Sequence, residues 1–96
     1  MNDVKDTLQQ RHETYGEYAA QARIAQQLKG VIHDTPNWHT MTYAQRESLD
    51  MIAAKISRIL NGDPDHIDSW HDIGGYARLV EDQIQEVLDR PVPPVL

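Results

Sequence analysis

The chain has 96 residues, nine Lys or Arg against fifteen Asp or Glu, a formal net charge of −6 and no cysteine. A chain of this size makes one domain that buries only about 60–65% of its unfolded surface, a core often completed by self-association. The composition excludes a disulfide framework, a thiolate metal site and a bulk electrostatic grip on a DNA or RNA polymer. It leaves open a small anionic ligand, because one pocket needs only a few local cations.

No apolar run is long enough to span a membrane, and the opening Met-Asn-Asp-Val is not a secretory signal. The interior of a cell is therefore the expected location. The aromatic inventory is four tyrosines and two tryptophans, with no phenylalanine. Every aromatic thus carries a polar handle, which suits half-exposed surfaces, interfaces and stacking sites.

Taken in order, Asp3 to Val31 reads as helix. Val4, Leu8, Tyr15, Ala19, Ala22, Ala25 (or Gln26) and Leu28 form a stripe at spacings of three and four. Asn2 or Asp3 caps its start, and Gly30 is its stop signal. Gly16 costs about 1 kcal/mol relative to alanine in a helix interior. It either breaks the segment in two or lets another group approach the backbone closely. From His33 to Tyr43 no periodicity remains: Pro36 and Asn37 mark a turn, and Trp38 fills the gap between helices. His33 and His39 flank that tryptophan with no third ligand at metal spacing, so no metal is expected.

The second helix has Thr42 as N-cap and Gln45 completing a capping box. Leu49, Ile52, Ala53, Ile56, Ile59 and Leu60 supply its apolar stripe, and Asn61-Gly62 its end. Lys55 and Arg58 complement the dipole at its C-terminal turn. Asp63-Pro64-Asp65 then turns the chain, and Asp65 or Asp68 caps a third helix. Its buried stripe is Ile73, Tyr76 (or Ala77), Val80, Ile84, Val87 and Leu88, and it ends near Arg90 ahead of Pro91, Pro93 and Pro94. Gly74-Gly75 inside that helix predicts close packing against another backbone or a ligand. The expected architecture is all-α, a compact bundle of three main helices with the first long and open to a break at Gly16. It forms a single helical domain over residues 1–90, with a loose proline-rich tail over 91–96.

The junction from Ser57 to Leu79 carries more polar specificity than a helix connection requires. Its segments ILNGDP (Ile59 to Pro64) and DSWHDIGGYA (Asp68 to Ala77), with RHETYGEY near the N-terminus, resemble a family of small phage-encoded anti-CBASS proteins. These are sponges that sequester the cyclic oligonucleotide messengers of bacterial cGAS-like immunity. The resemblance covers roughly residues 8 to 85. It implies a helical protomer in a homo-hexamer in the cytoplasm of an infected bacterium. It also implies cyclic dinucleotide pockets between protomers and, in some members, cyclic trinucleotide pockets on three-fold axes, with no cleavage and no cofactor. A tyrosine and a lysine of the N-terminal segment are implied as ligand contacts; Tyr15 and Lys29 are the candidates.

The residues themselves are compatible with that chemistry. Two bases and two phosphates call for aromatic or guanidinium planes and a few cations. Arg11 lies one helical turn from Tyr15 and offers a second cation. For a three-fold pocket the candidates are His71, with Arg58 and Arg78 behind it, and a histidine there would make that pocket pH-sensitive. Two rivals stand beside this reading. An all-α MazG-like nucleotide pyrophosphatase would gather Glu47, Asp50, Asp68 and Asp72 around Mg2+, although the EExxE run of those enzymes is absent. The other rival is a structural helical interaction module.

Overall fold

The computed structural model describes residues 3–92. Four α-helices and one short 3-10 turn account for its regular structure: α1 (Asp3–Tyr15), α2 (Tyr18–His33), η1 (Trp38–Thr40), α3 (Tyr43–Asn61) and α4 (Ile67–Leu88). The all-helical expectation holds. The long first segment is two helices, because Gly16 adopts a left-handed φ of 79° that ends α1 and restarts the chain as α2. Of the capping alternatives at the start, Asn2 lies outside the described residues. The tail is described only through Val92, so its last four residues lie outside as well.

Helix α3 is the central element, packed against α2 on one side and α4 on the other. Its start is the predicted capping box: Gln45 N–H donates to Thr42 Oγ1 at 3.1 Å, and Thr42 N–H donates to Gln45 Oε1 at 2.9 Å. Thr42→Ala should therefore destabilise the fold by about 1 kcal/mol in a thermal melt. The buried positions of α3 and α4 are small residues. Ser57 is fully buried, Ala53, Ser48 and Ser69 nearly so, and Gln21 and Ala25 face them from α2 and Trp38 from η1. Gln21 Nε2 donates to Ser57 Oγ at 3.3 Å, and Ser57 Oγ donates to Ala54 O at 2.6 Å, so the buried hydroxyl is satisfied on both counts.

The connection between α2 and α3 is held by Trp38. His33 stacks on its indole with ring centroids 4.2 Å apart, and Arg46 Nε donates to its carbonyl at 2.8 Å. His33 Nε2 also meets Asp50 Oδ1 at 2.6 Å, tying the end of α2 to α3. Trp38 fills the gap as expected.

Several local expectations are corrected. Gly30 does not stop α2, which runs on to His33 with Asp34 as C-cap. Of the first stripe Ala25 is buried as expected, but the break at Gly16 resets the helical phase so that Gln21 joins it while Ala19 faces solvent. Val4 and Leu8 on α1 are exposed as well. The N-cap of α4 is His66 rather than Asp65 or Asp68; Asp63 Oδ1 accepts from Asp65 N–H and holds the turn. Gly74 and Gly75 have nothing within 4 Å of a built Cβ, so no close packing in the protomer explains them. Leu60 of the α3 stripe is exposed, and the α4 stripe fails in its C-terminal half, where Ile84 is 46%, Val87 58% and Leu88 72% exposed.

Helices α2 to α4 form the compact part of the molecule, while α1 has no buried residue and meets them at its C-terminal end. The whole protomer measures 70 × 28 × 24 Å, with a radius of gyration of 17.8 Å. A globule of this length would have a radius of about 12–13 Å.

Candidate functional site

The end of α1 is locked onto the α3–α4 junction by backbone. A Cβ on Gly62 would fall on the Thr14 carbonyl oxygen and the Tyr15 main chain, and one on Gly16 would fall on the Asn61 carbonyl oxygen. Only glycine at both positions permits this approach. Asn61 Nδ2 then donates to Tyr15 O and to Glu17 O, each at 2.9 Å, straddling the Gly16 kink. Asp63 N–H donates to Thr14 O at 2.7 Å. Three polar contacts thus fix Tyr15 where α1, α3 and α4 converge.

Around that tyrosine the side chains are cationic. The Arg58 guanidinium lies 4.9 Å from the ring centroid and that of Arg11 5.2 Å, both within cation–π range. His66 meets the ring edge-on at 5.7 Å and 82°. Leu8, Arg11, His12, Tyr15, Tyr18 and Gln21 enclose a cavity of about 250 Å³ beside it. Among the described residues neither Arg11 nor Arg58 has a carboxylate within ion-pair distance. Arg58 Nε is buried and has no hydrogen-bond partner. In a chain with fifteen acidic residues, two unneutralised guanidiniums on one ring make a receptor for a flat or anionic group.

Three of the six sequence candidates, Tyr15, Arg11 and Arg58, are therefore brought together. Lys29 is not: it lies eleven residues into α2 from Tyr18, about 17 Å along the helix. Arg78 is engaged on its own helix, with Nε 2.6 Å from Asp82 Oδ1 and 3.8 Å from Glu81 Oε1. Hydrogen bonding to Asp82, then the charges of Asp82 and Glu81, hold its pKa above the usual value. His71 lines a separate shallow cavity of about 440 Å³ with Asp72, Gly75, Tyr76 and Leu79. The expected grouping of His71, Arg58 and Arg78 does not form in the protomer, because Arg58 turns to Tyr15 and Arg78 to Asp82.

The four carboxylates of the pyrophosphatase reading do not gather into one metal-holding cluster. Asp50 pairs with His33, Asp68 stands 3.8 Å from His66, and Asp72 meets Lys55 Nζ at 2.9 Å. The Lys55 hydrogen bond, opposed by desolvation and helped by the charges of Lys55, His71 and Arg58, holds the Asp72 carboxyl below its ordinary pKa. Among the described residues no three His, Asp or Glu side chains are placed to hold a metal ion.

Sequence reasoning missed His66. Its signal was available: an imidazole directly after the Asp-Pro-Asp turn is carried back toward whatever packs on that turn. It also missed Tyr18 and Gln21 as walls of the cavity, because a single helical phase carried through Gly16 leaves both off the apolar stripe.

No described helix is long and apolar enough to cross a membrane. No curated protein and no solved structure matches the chain. One family model does, over residues 1–84, and its description is a domain of unknown function. That match spans the helical unit from α1 through most of α4 and includes every residue of the Tyr15 cluster, so the chain belongs to the DUF6378 family.

Proposed function

We propose that the chain is a sponge for cyclic dinucleotides, a phage product that holds bacterial immune messengers without cleaving them. The observation that carries the reading is the pair of carboxylate-free guanidiniums, Arg11 and Arg58, gathered on Tyr15. A base stacks on the tyrosine by displacing one guanidinium from its face, and the displaced arginine then meets a phosphate. Arg11 is the mobile partner, since it is exposed on α1, whereas Arg58 is half-buried.

A single protomer offers only part of such a pocket. Its cavity of about 250 Å³ is below the roughly 300–1,000 Å³ usual for small-molecule sites. Lys29, too far along α2 to reach Tyr15 in its own chain, becomes a phosphate contact when a second copy presents it. The proposed assembly is the homo-hexamer that the resemblance implies, acting in the cytoplasm of the infected host. The geometry favours the dinucleotide over the trinucleotide, since the residues expected at a three-fold pocket are divided between Tyr15, Asp82 and an isolated His71.

Calorimetry with cyclic di-AMP, cyclic di-GMP and cyclic GMP–AMP tests the proposal. Tyr15→Ala should weaken the bound messenger by about 1–3 kcal/mol while leaving the melting curve nearly unchanged. An unaltered isotherm for the folded variant removes Tyr15 from the site. Denaturing the complex should return the messenger intact; linear products would favour an enzyme instead.

A further inference from the structure

We infer that His66 is a phosphate-facing residue of the Tyr15 site and that ligand binding draws a proton onto its imidazole. The inference rests on the reading of that site as an anion receptor and adds to it a residue and a pH dependence. His66 is half-buried, edge-on to Tyr15, and shares that ring with Arg11 and Arg58. It holds this place as the N-cap of α4 without a side-chain cap hydrogen bond, and its charged neighbour among the described residues is Asp68, 3.8 Å from Nε2. Its backbone N–H donates to Asp63 O at 3.3 Å, which fixes the residue at the same junction that clamps Thr14 and Tyr15.

The charges facing it set the direction of the effect. Arg58 from α3 and Arg11 from α1 share the ring, and His12 of α1 lines the adjoining cavity. Asp68 stands 3.8 Å away on α4, and Asp63 and Asp65 belong to the turn just before it. A phosphate arriving among the three groups favours every positive charge within a few ångströms. The bound state therefore holds its proton more tightly than the free state, and by linkage affinity rises as pH falls.

The test is calorimetry of the full chain with cyclic GMP–AMP from pH 5.5 to 8, in two buffers of different ionisation enthalpy. Wild type should lose about tenfold in affinity across that range and take up a fraction of a proton per ligand near neutrality. His66→Gln should bind weakly with a flat profile, and His66→Arg should bind tightly with a flat profile. Both variants should fold, since the imidazole carries no cap bond. A flat wild-type profile, or a His66→Gln profile as steep as wild type, overturns the assignment, the latter passing the titration to another histidine such as His12. Failure of wild type to bind any of the three cyclic dinucleotides at any pH removes the site reading itself, a result distinct from either of those.

Discussion

Gly62→Ala is expected to release α1 from the rest of the chain and to abolish messenger binding. The new methyl would occupy the space of the Thr14 carbonyl and the Tyr15 main chain, and neither side can yield without moving backbone. Overpacking of this kind costs about 1–3 kcal/mol and sometimes more. Displacement also loses the Asp63 to Thr14 hydrogen bond and the two from Asn61, each worth about 1 kcal/mol. Beyond these bonds the described contacts that retain α1 centre on Tyr15, which meets Arg58 and His66, and none of the helix's thirteen residues is buried. An isolated helix that short is marginal in water, so α1 should fray once undocked. Circular dichroism should report a loss of helix of up to those thirteen residues, and calorimetry at least a tenfold loss of affinity as Tyr15 leaves Arg58. Gly30→Ala is the control. It lies inside α2 with nothing within 4 Å of a new Cβ, so alanine there should add about 0.5–1 kcal/mol of stability. Wild-type helicity and affinity in Gly62→Ala would show that this joint does not hold α1.

The contrast between those glycines shows where the sequence was legible. Helix type and the limits of α3 followed from local rules: Thr42 and Gln45 spell a capping box, and Asn61-Gly62 a stop, whatever surrounds them. Gly16 was readable as a choice between a break and a close approach, and it proved to be both. Which glycines are approached by another chain segment is a tertiary property. Gly62 meets a residue almost fifty positions away, whereas Gly74 and Gly75 meet nothing in the protomer. The buried faces were legible only in part, because the sequence pattern ranks residues by hydropathy while close helix packing selects for size. Ser48, Ser57 and Ser69 lie deeper than Leu49, Ile56 or Ile73. Arg58 was read as a dipole partner and as one corner of a three-fold pocket. Its true neighbour, Tyr15, was hidden by a sequence separation that no local rule spans.

The second large effect concerns the surface left open. The described fold has an accessible surface of 7522 Å², whereas a monomer of 11.0 kDa is expected near 5,600 Å². The excess of about 1,900 Å² is of the order buried in a standard stable protein–protein interface. The surface left open includes an apolar groove between α3 and α4 that passes from Leu49, Ile52 and Tyr76 through Val80 to Ile84, Val87 and Leu88. A second copy is the occupant that the proposed hexamer supplies, and light scattering should give a mass near six protomers. Ile84→Glu with Val87→Glu should dissociate it. Each side chain contributes about 1.5–3 kcal/mol when buried, so the pair should weaken association by roughly two to four orders of magnitude. Both residues are exposed at the groove in the protomer, Ile84 at 46% and Val87 at 58%, so the variant should keep its helicity while losing mass. It should also lose messenger binding, because Lys29 can reach Tyr15 only from another chain. A wild-type monomer at micromolar concentration would remove the assembly, whereas a dissociated variant with full affinity would show that Tyr15, Arg11 and Arg58 hold the messenger without Lys29.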